Sequence, residues 1–179
     1  MAIHPTAIIH PSAEIAESVE VGPYAHIGPD SRLDEGCIVL QGAFIGPSVV
    51  CGRENVFHPY SMVGTDPQYL GFDPSTASGT VIGNGNHFRE FCTVHRGLKD
   101  GANTVLGHNN YFMAYSHVAH DCIVGSNIVM VNYAALSGHT ELEDRAFFSG
   151  HSSTHQFCRV GTLAMVGGHT AVPKDVPPY

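Results

Sequence analysis

The residues best suited to chemistry lie between His117 and Gln156. His120 and Asp121 are adjacent, and His117 precedes them by three. Gly138–His139 and His155–Gln156 follow, with Gly138 and Gln156 at successive intervals of eighteen from His120. An imidazole beside a carboxylate suits general-base work. The carboxylate orients the ring and stabilises its cationic form, and the ring takes a proton from a hydroxyl or an amine. Such a base needs a donor for the negative charge that develops on a carbonyl oxygen. A glycine N–H, unobstructed by a side chain, supplies one. A His-only zinc site is a second chemistry open to these residues. His117 and His120 are three apart and His151 and His155 four apart, so that site would need a ligand from a neighbouring subunit.

The elements that must position these residues repeat every six residues. From Ile3 the positions Ile9, Ile15, Val21, Ile27, Leu33, Val39, Ile45, Cys51, Phe57 and Val63 follow without a failed step. The series resumes at Ile82, Phe88 and Val94, then from Leu106 through Phe112, Val118, Val124, Met130, Leu136, Leu142, Phe148, Thr154, Val160, Val166 and Val172, with Thr154 its only polar member. Two residues before each stands a mostly small residue, such as Ala25, Ala43, Ser61, Ala134 or Ala146. Residues two apart on a strand share a face. Glycine often follows the large residue, as at Gly28, Gly46, Gly83 and Gly107, and these positions are read as the turns. The pattern describes an all-β triangular prism, a parallel β-helix of three hexads per coil, with coils stacked roughly 5 Å apart. Stacking by eighteen then places His120 below Gly138 and Gly138 below Gln156. His117, Asp121, His139 and His155 gather along the same edge.

Two segments break the series. Nineteen residues separate Val63 from Ile82, and the intervening GTDPQYLGFDPSTASGT is rich in turn formers. Between Val94 and Leu106 the count holds, but the intermediate position is Asp100, a poor core residue. Projecting loops are therefore predicted at about 64–81 and 95–104. A prism has flat faces, so such loops become cleft walls.

No histidine falls in either inward column, whereas all five cysteines do and read as core fillers. Net charge is −8 with eight Lys and Arg, which excludes the basic stripe of a nucleic-acid binder. The sequence has no run of about eighteen apolar residues and no signal-peptide pattern at MAIHPTAIIH, so a reduced, cytoplasmic protein without stable membrane insertion is expected. The whole of 1–179 reads as one domain.

Hexads of this kind resemble the left-handed parallel β-helix proteins, and the left hand is taken from that resemblance because crossovers are otherwise right-handed. FREFCTVHRG, SHVAHDCIVGSN, LSGHTELED, HQFCRVGTLAMVGG and the terminal DVPPY are more specific. Together they resemble the acyl-[acyl-carrier-protein]–UDP-N-acetylglucosamine O-acyltransferases of lipid A biosynthesis. The resemblance implies transfer of a 3-hydroxyacyl chain from acyl carrier protein to the sugar 3-hydroxyl, with no cofactor and no metal, in a homotrimer with sites between subunits. It implies His120 as general base, Asp121 as its orienting partner and the Gly138 N–H as oxyanion donor. Gln68, His95, His117, His139, His155 and Gln156 become substrate contacts, and Gly168 an open end of the acyl groove. Two departures are visible. Gln68, Tyr69, Leu70 and Gly71 stand where the family usually has QDLK, and the helical domain that follows VPPY in the family is not in these residues. Acylation of an amine or of another nucleotide sugar, a non-catalytic scaffold, and a zinc enzyme of the carbonic anhydrase type are the other readings compatible with the same chain.

Overall fold

The structure, a computed structural model, describes residues 2–179. Twenty-six short strands form three parallel sheets of nine, nine and eight strands, and no helix occurs among the described residues. Each strand pairs with the strands three before and three after it. The usual register is eighteen residues, as in Glu20↔Ile38, His26↔Phe44 and His117↔Ala135. The chain is thus a left-handed parallel β-helix with three strands per coil.

The large column forms the core. Ile27, Val39, Ile45, Phe57, Phe88, Phe112, Val118 and Phe148 are completely buried. Burying each such side chain contributes about 1.5–3 kcal/mol. Phe57, Phe88 and Phe112 stack face to face at 5.0 and 5.1 Å along the axis. The small column is more polar than its composition suggested. Asn55, Asn86 and Asn110 form a buried ladder, each Oδ1 accepting the N–H of the residue one coil on, at 2.8 to 3.0 Å. Their amide groups donate to the Gly83, Gly107 and Gly125 carbonyls, so the buried polar groups are satisfied.

The glycines that follow the large residues are not the turns predicted for them. The left-handed backbone conformation falls two residues later, at Tyr24, Asp30, Tyr60, Tyr115, Asp121, His139 and their equivalents, most of them not glycine. Gly28, Gly46, Gly83 and Gly107 are instead places where neighbouring coils approach too closely for a side chain. A Cβ at Gly46 would lie 2.0 Å from the Gly64 carbonyl oxygen, and one at Gly107 would lie 2.6 Å from that of Gly125.

The residue between this glycine position and the left-handed residue has an N–H that no backbone carbonyl accepts. Pro5, Pro11, Pro23, Pro29, Pro47 and Pro59 occupy it, where a missing donor costs nothing. At some of the other positions the free N–H finds a side chain, as Arg53 does on Asn84 and Ser126 does on Asp144. His120, Gly138 and Gln156 occupy this same position in three successive coils.

Both projecting loops are present. Across the first, Val56 pairs with His87, 31 residues on instead of 18, an insertion of thirteen. Across the second, Val94 pairs with Val118, 24 residues on, an insertion of six. The hexad count survived the second loop because the insertion is one hexad long. Both loops are shorter than predicted, 66–78 and 96–102. Gly79–Ile82 and Asn103–Leu106 pair over four residues, and Thr65 pairs with His95 past a bulge.

Candidate active site

The two loops fold against the edge that carries His120. A cleft of about 240 Å³ opens there, and Gln68, His95, His117, His120, Gly138 and Gln156 line it. Six of the ten residues singled out in the sequence therefore share one cavity. Asp121 sits behind His120, with Oδ2 2.7 Å from His120 Nδ1. The carboxylate only accepts, so Nδ1 carries the proton and the Nε2 lone pair is left free. Oδ2 also accepts the Leu98 N–H at 3.1 Å, and the Asp121 N–H donates to the buried Thr104 hydroxyl at 2.8 Å. The orienting carboxylate is thus fixed by the second loop and by the coil below.

Gly138 lies directly over the imidazole. A Cβ there would be 2.6 Å from His120 Cε1 and 2.8 Å from Nε2. The Gly138 N–H has no acceptor among the described residues. Its direction is set by Ser137, whose N–H donates to Thr154 Oγ1 (3.0 Å) and whose hydroxyl donates to the Thr154 carbonyl (2.6 Å). The Thr140 hydroxyl donates to the Ser137 carbonyl at 2.7 Å. This accounts for Thr154, the one polar residue in the large column: inside the core, its hydroxyl meets Thr140 at 2.8 Å and holds the strand end that presents Gly138.

His139 stacks on Phe157 at 4.6 Å, with Nε2 3.9 Å from Asp121 Oδ2. His120, Asp121 and His139 present ligand atoms within 4.8 Å of one another, a grouping within one subunit that the sequence spacings did not suggest. At 2.7 Å, His120 Nδ1 and Asp121 Oδ2 are closer than the roughly 3.3 Å separating two tetrahedral zinc ligands with bonds of about 2.0–2.1 Å. Their geometry is that of a hydrogen-bonded pair.

His155 is exposed, its ring against the Gln156 carbonyl, and does not line the cleft. Gly168 stands farther off, on the corner that follows the Phe148 and Val166 strands. His120 follows the Val118 strand, in a different sheet. One subunit alone does not bring Gly168 to His120. Sequence reasoning missed Ser137 and Tyr69, which line the cleft, and Thr104 and Leu98, which fix Asp121. Thr154 carried a signal as the lone polar member of its column. A backbone N–H such as that of Leu98 carries none.

His95 and His117 form an edge-on ring pair at 4.7 Å, and Thr93 Oγ1 is 2.7 Å from His117 Nδ1. Burial pushes the His95 imidazole down to about 4, with repulsion from His117 and then His120 adding to it. Burial also lowers His117, with a further contribution from His120. Both neighbours of the base are therefore neutral near pH 7, and neither competes electrostatically with a cationic His120. The His95 shift also makes a stability prediction. A depressed histidine is protonated in the unfolded chain first, so its contribution is present above pH 6.5 and is lost as pH falls toward 4. A shift of this size amounts to about 3 kcal/mol between pH 7 and pH 4. Urea unfolding at the two pH values should show His95→Asn losing less stability than the parent by roughly that amount. Equal losses would contradict the assignment.

No protein-family model matches the chain. Among curated relatives, the acyl-[acyl-carrier-protein]–UDP-N-acetylglucosamine O-acyltransferase of Campylobacter concisus is 39% identical over 178 residues, covering 99% of this chain and 68% of the relative. The chain belongs to this family. The Agrobacterium fabrum member is 40% identical over 178 residues, covering 99% of this chain and 65% of its own length. Among solved structures, the UDP-N-acetylglucosamine acyltransferase of Francisella novicida superposes with a TM-score of 0.96 at 39% identity, covering 99% of this chain and 64% of that one. LpxA from Acinetobacter baumannii gives 0.96 at 38% identity, covering 100% and 69%. This chain spans about two thirds of the length of these four family members.

Proposed function

We propose that this chain catalyses transfer of a 3-hydroxyacyl group from acyl carrier protein to the 3-hydroxyl of UDP-N-acetylglucosamine, the first step of lipid A biosynthesis, in the cytoplasm. The observation that carries the reading is the His120–Asp121 pair packed beneath the free Gly138 N–H. His120 Nε2 takes the proton of the sugar hydroxyl as its oxygen attacks the thioester carbonyl. The carbonyl oxygen becomes an oxyanion, and the Gly138 N–H donates to it. The C–S bond then breaks, the thiolate of the carrier leaves, and His120 returns the proton to the sulfur. Asp121 holds the ring in one tautomer and offsets its positive charge. Gln68, His95, His117 and Gln156 are placed to contact substrate across the cleft, with His139 beside the pair.

The working unit is a homotrimer. An edge bearing Gly168 from a neighbouring subunit, set against the His120 edge, gives the acyl groove its far wall. His155, exposed in one chain, is covered in the same step. An acceptor test decides between an oxygen and a nitrogen nucleophile. With 3-hydroxyacyl carrier protein as donor, UDP-N-acetylglucosamine should gain the acyl mass as an ester cleaved by hydroxylamine. Acylation confined to the 3-amino analogue, as a hydroxylamine-stable amide, would overturn the O-acyl assignment.

A further inference from the structure

Arg96 is 4% exposed and lines not the catalytic cleft but a second cavity, with Thr65, Asp66 and Pro74. Its guanidinium reaches up into the first loop, where it donates to the Thr76 and Pro74 carbonyls at 2.7 and 2.8 Å and to Asp66 Oδ1 at 2.8 Å. Weaker contacts reach Ser78, and the Phe72 ring lies over the group at 5.0 Å. One cation therefore gathers carbonyls and a carboxylate from both ends of the 66–78 segment. That segment carries Gln68 and Tyr69, which wall the catalytic cleft but are themselves exposed. Two residues beyond Arg96, the Leu98 N–H holds Asp121 Oδ2. The short run 96–98 is thus fastened to the cleft wall by a side chain and to the base's carboxylate by its backbone.

We infer that Arg96 is a positioning residue for acceptor binding, acting through the first loop. The inference rests on the proposed function, because the cleft wall matters only if a nucleotide sugar sits against it. The planar guanidinium serves three acceptors in fixed directions, which neither an ammonium nor an apolar side chain reproduces. Without it the Pro74 carbonyl and Asp66 lose their guanidinium partner, and the Thr76 carbonyl keeps only the Ser78 N–H. The remaining ties of Ala77 to Asp100 and Gly101 and of Ser78 to Gly97 hold only the far end of the loop. Gln68 and Tyr69 then meet the substrate from many positions rather than one. Asp121 keeps its Leu98 contact, so the loss falls on binding and not on the chemical step.

The test compares the parent with Arg96→Met and Arg96→Lys by amide hydrogen exchange and by steady-state kinetics with UDP-N-acetylglucosamine. In Arg96→Met, exchange across 66–78 should quicken by about tenfold or more while exchange in the strands stays as it was. KM for the nucleotide sugar should rise about tenfold with kcat within about threefold of the parent, the signature of lost binding without lost transition-state contact. Arg96→Lys should show both changes at smaller size, and it decides the matter if the methionine variant does not fold. An undisturbed loop, a freed loop with unchanged KM, or a fall in kcat at constant KM would each overturn the inference. A parent chain that neither binds nor acylates the nucleotide sugar would overturn the functional reading instead, and with it the role for acceptor binding. The exchange data would still show whether Arg96 clamps the loop.

Discussion

Gly138→Ala should lower kcat by about a thousandfold while leaving the fold intact. The added methyl group would stand 2.6 Å from His120 Cε1, well inside contact distance. Backbone conformation offers no relief and no extra strain, because Gly138 is not in the left-handed region that its neighbour His139 occupies. The ring must therefore swing away from the position in which Asp121 holds it. The base is misplaced, and the N–H that would receive the oxyanion is partly screened by the new group. Removal of one oxyanion donor alone costs about 10²–10³ in kcat, and displacement of the base adds to that. Gly138 faces the cleft rather than the core, so circular dichroism and the thermal midpoint should match the parent. Activity within tenfold of the parent would mean that the ring does not work from beneath Gly138.

Asp121→Asn separates orientation from bulk. One carboxylate oxygen now serves both the His120 Nδ1–H and the Leu98 N–H. A carboxamide has a single oxygen and an NH2 group that only donates. If its oxygen takes the place of Oδ2, both contacts and the tautomer are kept, and the ring loses only the negative charge that stabilises its cationic form. If the NH2 takes that place, it opposes the Leu98 N–H, and the ring proton must move to Nε2, which leaves the base no lone pair toward the substrate. Asparagine tolerates the left-handed backbone found at this position, so strain does not confound the result. A loss of about 10²–10⁴ in kcat is expected, toward the lower end when only the charge is lost and toward the upper end when the tautomer is wrong. Nitrogen NMR of His120 tells the two apart: the proton stays on Nδ1 in the first and moves to Nε2 in the second. Unchanged turnover would remove Asp121 from the machinery.

The sequence made the prism legible because a buried column needs a large side chain every six residues, and that demand leaves a periodic trace from Ile3 to Val172. It made the His120–Gly138–Gln156 alignment legible for the same reason, since a fixed coil length turns a spacing of eighteen into a contact. The second loop was legible only through Asp100, because its insertion is a whole hexad and keeps the phase. The glycines misled. Their spacing signals close approach between coils, whereas the turn itself is made by whatever residue takes the left-handed conformation two positions on. The supports of the site were hidden for a different reason. Thr104, Leu98 and Ser137 act through hydrogen bonds to backbone, and Arg96 acts across a loop whose path no periodicity fixes. Gly168 could not be placed against His120 from one chain, because the fold sends them to different corners.

Mass-detected acyl transfer by His120→Ala, set beside the parent chain with 3-hydroxyacyl carrier protein and UDP-N-acetylglucosamine, tests the central claim most directly. A parent that yields the acylated nucleotide sugar and a folded variant slower by about 10²–10⁴ would establish His120 as the general base. A folded variant that makes product at the parent's rate would contradict the account, because no other group in the cleft is held by a carboxylate beneath a free backbone N–H.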